Sequence, residues 1–192
     1  ERRVVSESHP GNITIAAHDM TGTGVKDLIV GSGFGRRSRM PVEYLQWFET
    51  QDNGETWTNH FIDEMPYTHR IALADVAGDG KPLLFVGTLQ GGEGGLDEFE
   101  YPGALWCYKL PDDPVNDPWE KRLIDGELHV NHGMSVGDVD GDGRPDVLIG
   151  ARDGLIWFEP PEGDAFEGEW KRWVISERES SEVFTVDLDG DG

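Results

Sequence analysis

Asp138, Asp140, Asp142 and Asp146 lie within "GDVDGDGRPDVLIG", residues 137–150. They stand at positions 1, 3, 5 and 9 of a loop, with Gly143 at position 6 to supply a sharp turn and the Arg144 carbonyl at position 7 as a further oxygen. Alternate carboxylates in a tight loop present hard oxygen ligands in an order that suits Ca²⁺. Position 12 is Ile149, in a β-branched apolar run rather than a glutamate opening a helix, so this is not an EF-hand. The same ladder recurs in graded form. Asp19, Thr21, Thr23 and Asp27 keep an oxygen at every position but only two carboxylates; Asp75, Ala77, Asp79 and Leu83 have lost two ligands; Asp187, Asp189 and Asp191 begin a full set. The competing reading is a series of Asp-Gly turns whose carboxylates cap backbone N–H groups. That reading prevails for the second copy, and calcium for the third.

Histidines carry a second candidate chemistry. His69 and His132 each lie six residues before the leading aspartate of their copy, and His9 and His129 lie slightly earlier in the same connection. In the fourth copy the equivalent place is Ser181, followed by Glu182. His60 falls in an outer strand and His18 abuts an aspartate loop, so neither joins this set. Imidazoles converging from successive connections suit Zn²⁺ or another transition metal. Two or three of them with a carboxylate and an open position would polarise a sugar hydroxyl or carbonyl. A lone histidine at a strand start is commonly a hydrogen-bonded loop residue. The shared register of His69 and His132 is what sets them apart, since no H-x-x-x-H or H-E-x-x-H spacing is present.

The elements that must position these groups follow from a repeat. "HDMTGTGVKDLIVG", "ADVAGDGKPLLFVG" and "GDVDGDGRPDVLIG" align without a gap, and "VDLDGDG" starts a fourth copy; the leading aspartates are 56, 63 and 49 residues apart. Each copy is followed by an aromatic segment holding Trp47, Trp106 or Trp157, and then by Trp57, Trp119 or Trp170 leading into "HFID", "RLID" or "WVIS". Val, Ile, Leu and aromatics fill four short runs per unit, separated by Gly, Pro, Asn and Asp, and no run shows a sustained helical period. Four strands per unit of about 50 residues predicts an all-β protein built from four-stranded antiparallel β-propeller blades. A β-sandwich with similar turns leaves the aligned copies unexplained.

The units run about 13–62, 69–125 and 132–176, with "ERRVV" (1–5) as the last strand of a preceding blade and 181–192 as the start of a fourth unit. The expectation is three complete blades and partial blades at both ends of one propeller fragment, 1–192, whose remainder lies in a longer parent chain. Up-and-down strands put the histidine connections and the second-to-third strand loops on one face, around a channel mouth, and the aspartate loops on the other. Those second-to-third loops carry Arg36, Arg37 and Arg39, then Gln90, Glu93, Asp97 and Glu98, then Arg152 and Asp153.

Composition bounds the partners. Lys plus Arg total 16 against 38 Asp plus Glu, a net charge of −22, which argues against nucleic acid or an anionic membrane and fits a protein that holds cations. No apolar run approaches the roughly 20 residues of a membrane span. The single Cys107 rules out an internal disulfide frame. No signal peptide is visible, yet calcium-type loops point outside the cell, where millimolar Ca²⁺ fills weak sites, so a secreted, periplasmic or cell-surface location is expected. "GSGFG" after "DLIV" leads into another strand rather than a helix, and so is no dinucleotide fingerprint.

"DVDGDGRPDVLIG" followed by "GLIWFE" resembles the FG-GAP and VCBS-type repeats of β-propellers, and the resemblance extends over essentially the whole chain. It implies calcium in the aspartate loops, and it is specific for fold rather than function, because such propellers serve as adhesion heads, sugar-binding modules and enzymes. Histidines before the inner strands, Asp-Gly loops and Trp-Phe-Glu strands are also similar to the propeller of aldos-2-ulose dehydratase-like proteins. That similarity implies a metal-assisted elimination of water from a keto-sugar, with His69 and His132 as ligands and His129 or Glu182 as third ligand or base. In related polysaccharide lyases, Arg36, Arg37 or Arg70 would neutralise a uronate. The alternative is a calcium-stabilised module that displays loops to a glycan or protein without chemistry.

Overall fold

The computed structural model describes residues 3–9, 11–32, 44–91 and 101–188, which form twelve β-strands and no helix. The first sheet holds β1 (Thr14–His18), β2 (Asp27–Ser32), β3 (Tyr44–Glu49) and β4 (Thr58–Glu64). The second holds β5 (Thr68–Ala74), β6 (Leu83–Thr88), β7 (Gly103–Lys109) and β8 (Lys121–Leu128). The third holds β9 (Gly133–Gly137), β10 (Asp146–Ala151), β11 (Gly154–Glu159) and β12 (Lys171–Ser176). Each sheet is an antiparallel meander, and the first strands lie side by side, β1 against β5 and β5 against β9. These are three propeller blades.

The blades pack face to face, which explains why their strands read as continuous apolar runs. Leu84 and Val86 of β6 join Ile29, Leu45 and Trp47 of blade 1 in one core. Their strand neighbours Leu83 and Phe85 point the other way and join Ile149, Ile156 and Phe158 of blade 3 in a second. Alternate residues of one strand thus bury against opposite neighbours. The approach is close at the end of each second strand. A Cβ on Gly31 would lie 2.5 Å from Thr68 Cγ2, and one on Gly87 would lie 2.6 Å from Asn131 Nδ2, so the glycines let the next blade's chain pass.

One alignment is corrected. The sequence equates Trp47, Trp106 and Trp157, but Trp47 pairs with Ile29 and Trp157 with Leu148, whereas the residue opposite the equivalent Phe85 is Cys107. Trp106 sits one position earlier, beside Val86, and faces blade 1. A one-residue slip reverses the face of a strand. The small thiol opposite Phe85 leaves room for that ring, which meets Trp170 of blade 3 edge-on at 5.6 Å. Burial pushes the Cys107 thiol up to about 12, so it is an inert core group.

Charged clamps join the outer strands. Asp63 of β4 accepts from Lys121 Nζ at 2.6 Å and from the Tyr108 hydroxyl at 2.8 Å, both in blade 2. Asp125 of β8 pairs with Arg172 of blade 3 at 3.1 Å. Arg122 donates from Nη1 to the Phe166 and Gly168 carbonyls of the same blade. Replacing Asp63 by Ala leaves the buried Tyr108 hydroxyl without its acceptor and is expected to cost about 1–3 kcal/mol in urea unfolding. The Tyr108→Phe variant should lose less, and the double variant less than Asp63→Ala alone, because no hydroxyl is left unpaired.

At the chain's ends, Arg3–Val5 form no strand, and Val4 and Val5 line a cavity with Ile13, Ile15 and Val30. Glu182–Asp187 are also outside any strand, yet they lie along β9: Thr185 N–H donates to Ser135 Oγ at 3.0 Å and its hydroxyl to the Val136 carbonyl at 2.7 Å. The same kind of bond links β1 to β5, where Ile71 N–H donates to Thr14 Oγ1 at 3.1 Å. Residues 182–187 therefore occupy the inner-strand place of a following unit.

Candidate functional site

The aspartate loops join β1 to β2, β5 to β6 and β9 to β10, all on one face. Their backbone is the same in every blade. Gly22 and Gly24, Gly78 and Gly80, and Gly141 and Gly143 all take left-handed φ between 69° and 86°. The leading carboxylate clamps each turn: Asp19 accepts from Thr23 and Gly24 N–H, Asp75 from Asp79 and Gly80, and Asp138 from Gly141 and Gly143. Because the turn survives in blade 2, where two ligands are lost, its shape alone is no sign of metal. The ligand set is.

Among the described residues only the third loop gathers three carboxylate, histidine or cysteine side chains that could hold a metal. Oxygens of Asp138, Asp140 and Asp146 lie within 4.8 Å of one another. Asp146 is buried, and burial raises its pKa, opposed by the N–H of Val139 and reinforced by the Asp140 and Asp142 charges. Carboxylates held this close repel, and a divalent cation would relieve the repulsion. Asp142 turns instead to Arg144, whose Nε and Nη2 reach its Oδ2 at 2.9 and 2.7 Å. In the first loop Asp27 is fully buried and accepts from Met20 and Thr50 N–H, while the Thr21 hydroxyl has no hydrogen-bond partner among the described residues. In the second loop Leu83 is buried in the core, so the position-9 oxygen is absent. Asp187 is described and Asp189 and Asp191 lie outside the described residues.

The opposite face holds the histidines. The His69 and His132 rings, from blades 2 and 3, lie 4.6 Å apart between centroids. Arg70 Nη1 donates to His69 Nδ1 at 3.0 Å, and Arg70 Nη2 donates to Glu182 Oε1 at 2.7 Å. His132 Nδ1 lies 3.4 Å from the same Glu182 oxygen and donates to the Ser181 carbonyl at 3.1 Å. The four residues His69, Arg70, His132 and Glu182 thus meet, drawn from three successive units. They form no zinc set as they stand: His69 Nδ1 already accepts a hydrogen bond from Arg70, and no three histidine or carboxylate ligand atoms there fall within 4.8 Å among the described residues.

His129 stands apart from that pair in its bonding. Asp153, at the tight β10–β11 turn, holds its Nδ1 at 3.1 Å and accepts its backbone N–H at 2.5 Å. The sequence placed Asp153 on this face but did not pair it with His129; the two-residue turn was the available signal. Val130 next to it takes a left-handed φ of 51°, as Tyr67 does at 58° in the same register of blade 2. A β-branched residue in that region is strained. His9 bonds Ser6 and Ser8 and packs on Phe48, away from this group. Arg36, Arg37, Arg39, Glu93, Asp97 and Glu98 lie outside the described residues.

Burial foremost, then the Arg70 and His132 charges, lowers the His69 pKa to about 4. An unfolded histidine takes its proton near pH 6.5. Between those values the unfolded chain binds the extra proton. Stability from this group is therefore full above about pH 6.5 and falls as the pH drops toward about 4, by about 2–3 kcal/mol in all. Urea midpoints at about pH 7 and about pH 4.5 should differ less in His69→Asn than in the wild type.

Four-stranded blades, an Asp-Gly loop between the first two strands and glycines at each blade contact define a β-propeller repeat with a metal-type loop. Residues 103–192 match the family model for the FG-GAP-like repeat. That span takes in the outer half of blade 2, blade 3 and the following segment, and blade 1 has the same strand order and the same glycine turn. No curated protein matches it.

Proposed function

We propose that this chain is a calcium-stabilised propeller module of a carbohydrate-active protein, exported to a calcium-rich compartment, whose channel mouth takes the carbohydrate. The observation that carries the reading is the convergence of His69, Arg70, His132 and Glu182 from three units at the face opposite the aspartate loops. A mouth built this way mixes donors, an acceptor and flat rings, the equipment that sugar hydroxyls and ring faces require. Calcium at Asp138, Asp140 and Asp146 has a structural role, fixing the turn that aligns β9 and β10. The bound ligand would sit between blades 2 and 3, where Arg70 and His132 present their polar atoms.

The test is a glycan array probed in millimolar calcium with the wild type and with an Arg70→Ala/His132→Ala double variant. Binding to a defined set of oligosaccharides that the double variant loses is the expected result. No glycan binding, or binding that survives the double substitution, overturns the reading.

A further inference from the structure

The connection between β3 and β4 carries Asn53–Gly54. Asn53 is exposed and takes a left-handed φ of 56°, and Gly54 follows at 86°. This pair of residue types has a chemistry of its own. The backbone nitrogen after an asparagine attacks the side-chain carbonyl carbon, and glycine, with no Cβ, leaves that approach open. Loss of ammonia closes a succinimide. Water then opens either of its carbonyls and leaves aspartate or isoaspartate. Each conversion consumes a water and releases an ammonia, and nothing is oxidised or reduced.

The fold restrains the nucleophile. Gly54 N–H donates to Thr50 Oγ1 at 2.8 Å, and that hydroxyl donates to Asp52 Oδ1 at 3.0 Å. Asp52 also accepts the Thr56 hydroxyl at 2.6 Å and the Thr56 N–H at 2.8 Å. The Thr56 hydroxyl first, then its N–H and the Thr50 hydroxyl, hold the Asp52 carboxyl down at about 2, so the clamp stays charged at neutral and mildly alkaline pH. Thr50 is itself tied down, its N–H donating to Oδ1 of the fully buried Asp27 at 2.9 Å. A Cβ on Gly54 would lie 3.3 Å from Trp57 Cζ2, so the indole flanks the residue that must move. Attack requires the Gly54 nitrogen to turn from Thr50 toward the Asn53 side chain and to give up the proton that Thr50 holds.

We propose that Asn53–Gly54 is a deamidation site that the closed β3–β4 connection keeps unreactive, so that conversion at residue 53 marks chains in which it has opened. The product carries a new carboxylate between Asp52 and Glu55, and like charges this close repel. The isoaspartyl form also routes the main chain through Cβ, which lengthens a turn built on two left-handed residues. Conversion therefore works against reclosure.

The full chain is incubated at mildly alkaline pH in native buffer and in concentrated urea, and amide-to-acid conversion at residue 53 is followed by mass spectrometry of its proteolytic peptides. Conversion of the wild type should be at least about tenfold slower in native buffer than in urea, because attack waits on local opening. Thr50→Val removes the acceptor of Gly54 N–H and keeps the backbone bond to Asp27. In native buffer it should convert about three- to tenfold faster than the wild type, the worth of one hydrogen bond, and in urea at the wild-type rate. Thr50→Ser keeps the hydroxyl and should keep the slow rate. No conversion at residue 53 in urea, or equal wild-type rates with and without urea, overturns the proposal. So does a Thr50→Val variant with wild-type circular dichroism that converts as slowly as the wild type. If Thr50→Val does not fold, Thr56→Val, which strips one bond from Asp52, is judged by the same criterion.

Discussion

Trp47→Ala is expected to destabilise the chain by about 3–5 kcal/mol, the range for deleting a buried tryptophan. Trp47 is fully buried between blades 1 and 2, stacked on His60 at 4.3 Å and shared with Leu84, Val86 and Tyr108 in one core. Its indole N–H has no hydrogen-bond partner among the described residues, so the loss is one of packing. Chemical unfolding in calcium reads the loss, and a loss under about 1 kcal/mol would mean that blades 1 and 2 do not depend on their mutual contact.

The second large effect is calcium itself. At free calcium a hundred times its dissociation constant, one site binding only the folded state adds about 2.7 kcal/mol. Asp146→Asn should remove most of that gain while leaving the calcium-free protein as stable as the wild type or more so. The reason is that Asp146 is a buried carboxylate that also feels the Asp140 and Asp142 charges, a penalty that neutralisation relieves. Protons compete for the same group, and its pKa is raised, so calcium stabilisation should fade as the pH is lowered into the carboxylate range. If the loops are only turns, calcium will not raise the melting temperature and Asp146→Asn will simply destabilise. Thermal unfolding with calcium and with chelator, across pH, reads all of this.

The repeat made the blades legible, because a period of strands and turns has few solutions and the aligned aspartates marked each unit. The clustering of carboxylates in the third loop was legible for the same local reason: they lie within nine residues and the glycines between them admit one turn. Orientation was not. Trp106 falls in the right segment but one residue off, and nothing in a string distinguishes the two faces of a strand buried on both sides. Asp142 looked equivalent to its neighbours, yet the Arg144 side chain, counted only for its carbonyl, draws it away. The meeting of His69 with His132 was foreshadowed by register, and Glu182 by its place after Ser181. The bond from Glu182 to Arg70 joins residues 112 apart in the chain, which no local pattern marks. The clamps Asp63–Lys121 and Asp125–Arg172 had a usable signal in the "ID" that recurs within two of the outer strands.

If calcium in the aspartate loops stabilises the propeller, ligand chemistry rather than turn shape decides which loops bear the ion. The direct measurement is a crystal structure grown with calcium, with an anomalous difference map. A peak is expected enclosed by Asp138, Asp140 and Asp146 and none in the loop of Asp75 and Asp79. An empty third loop, or a second loop occupied as fully as the third, overturns the calcium reading.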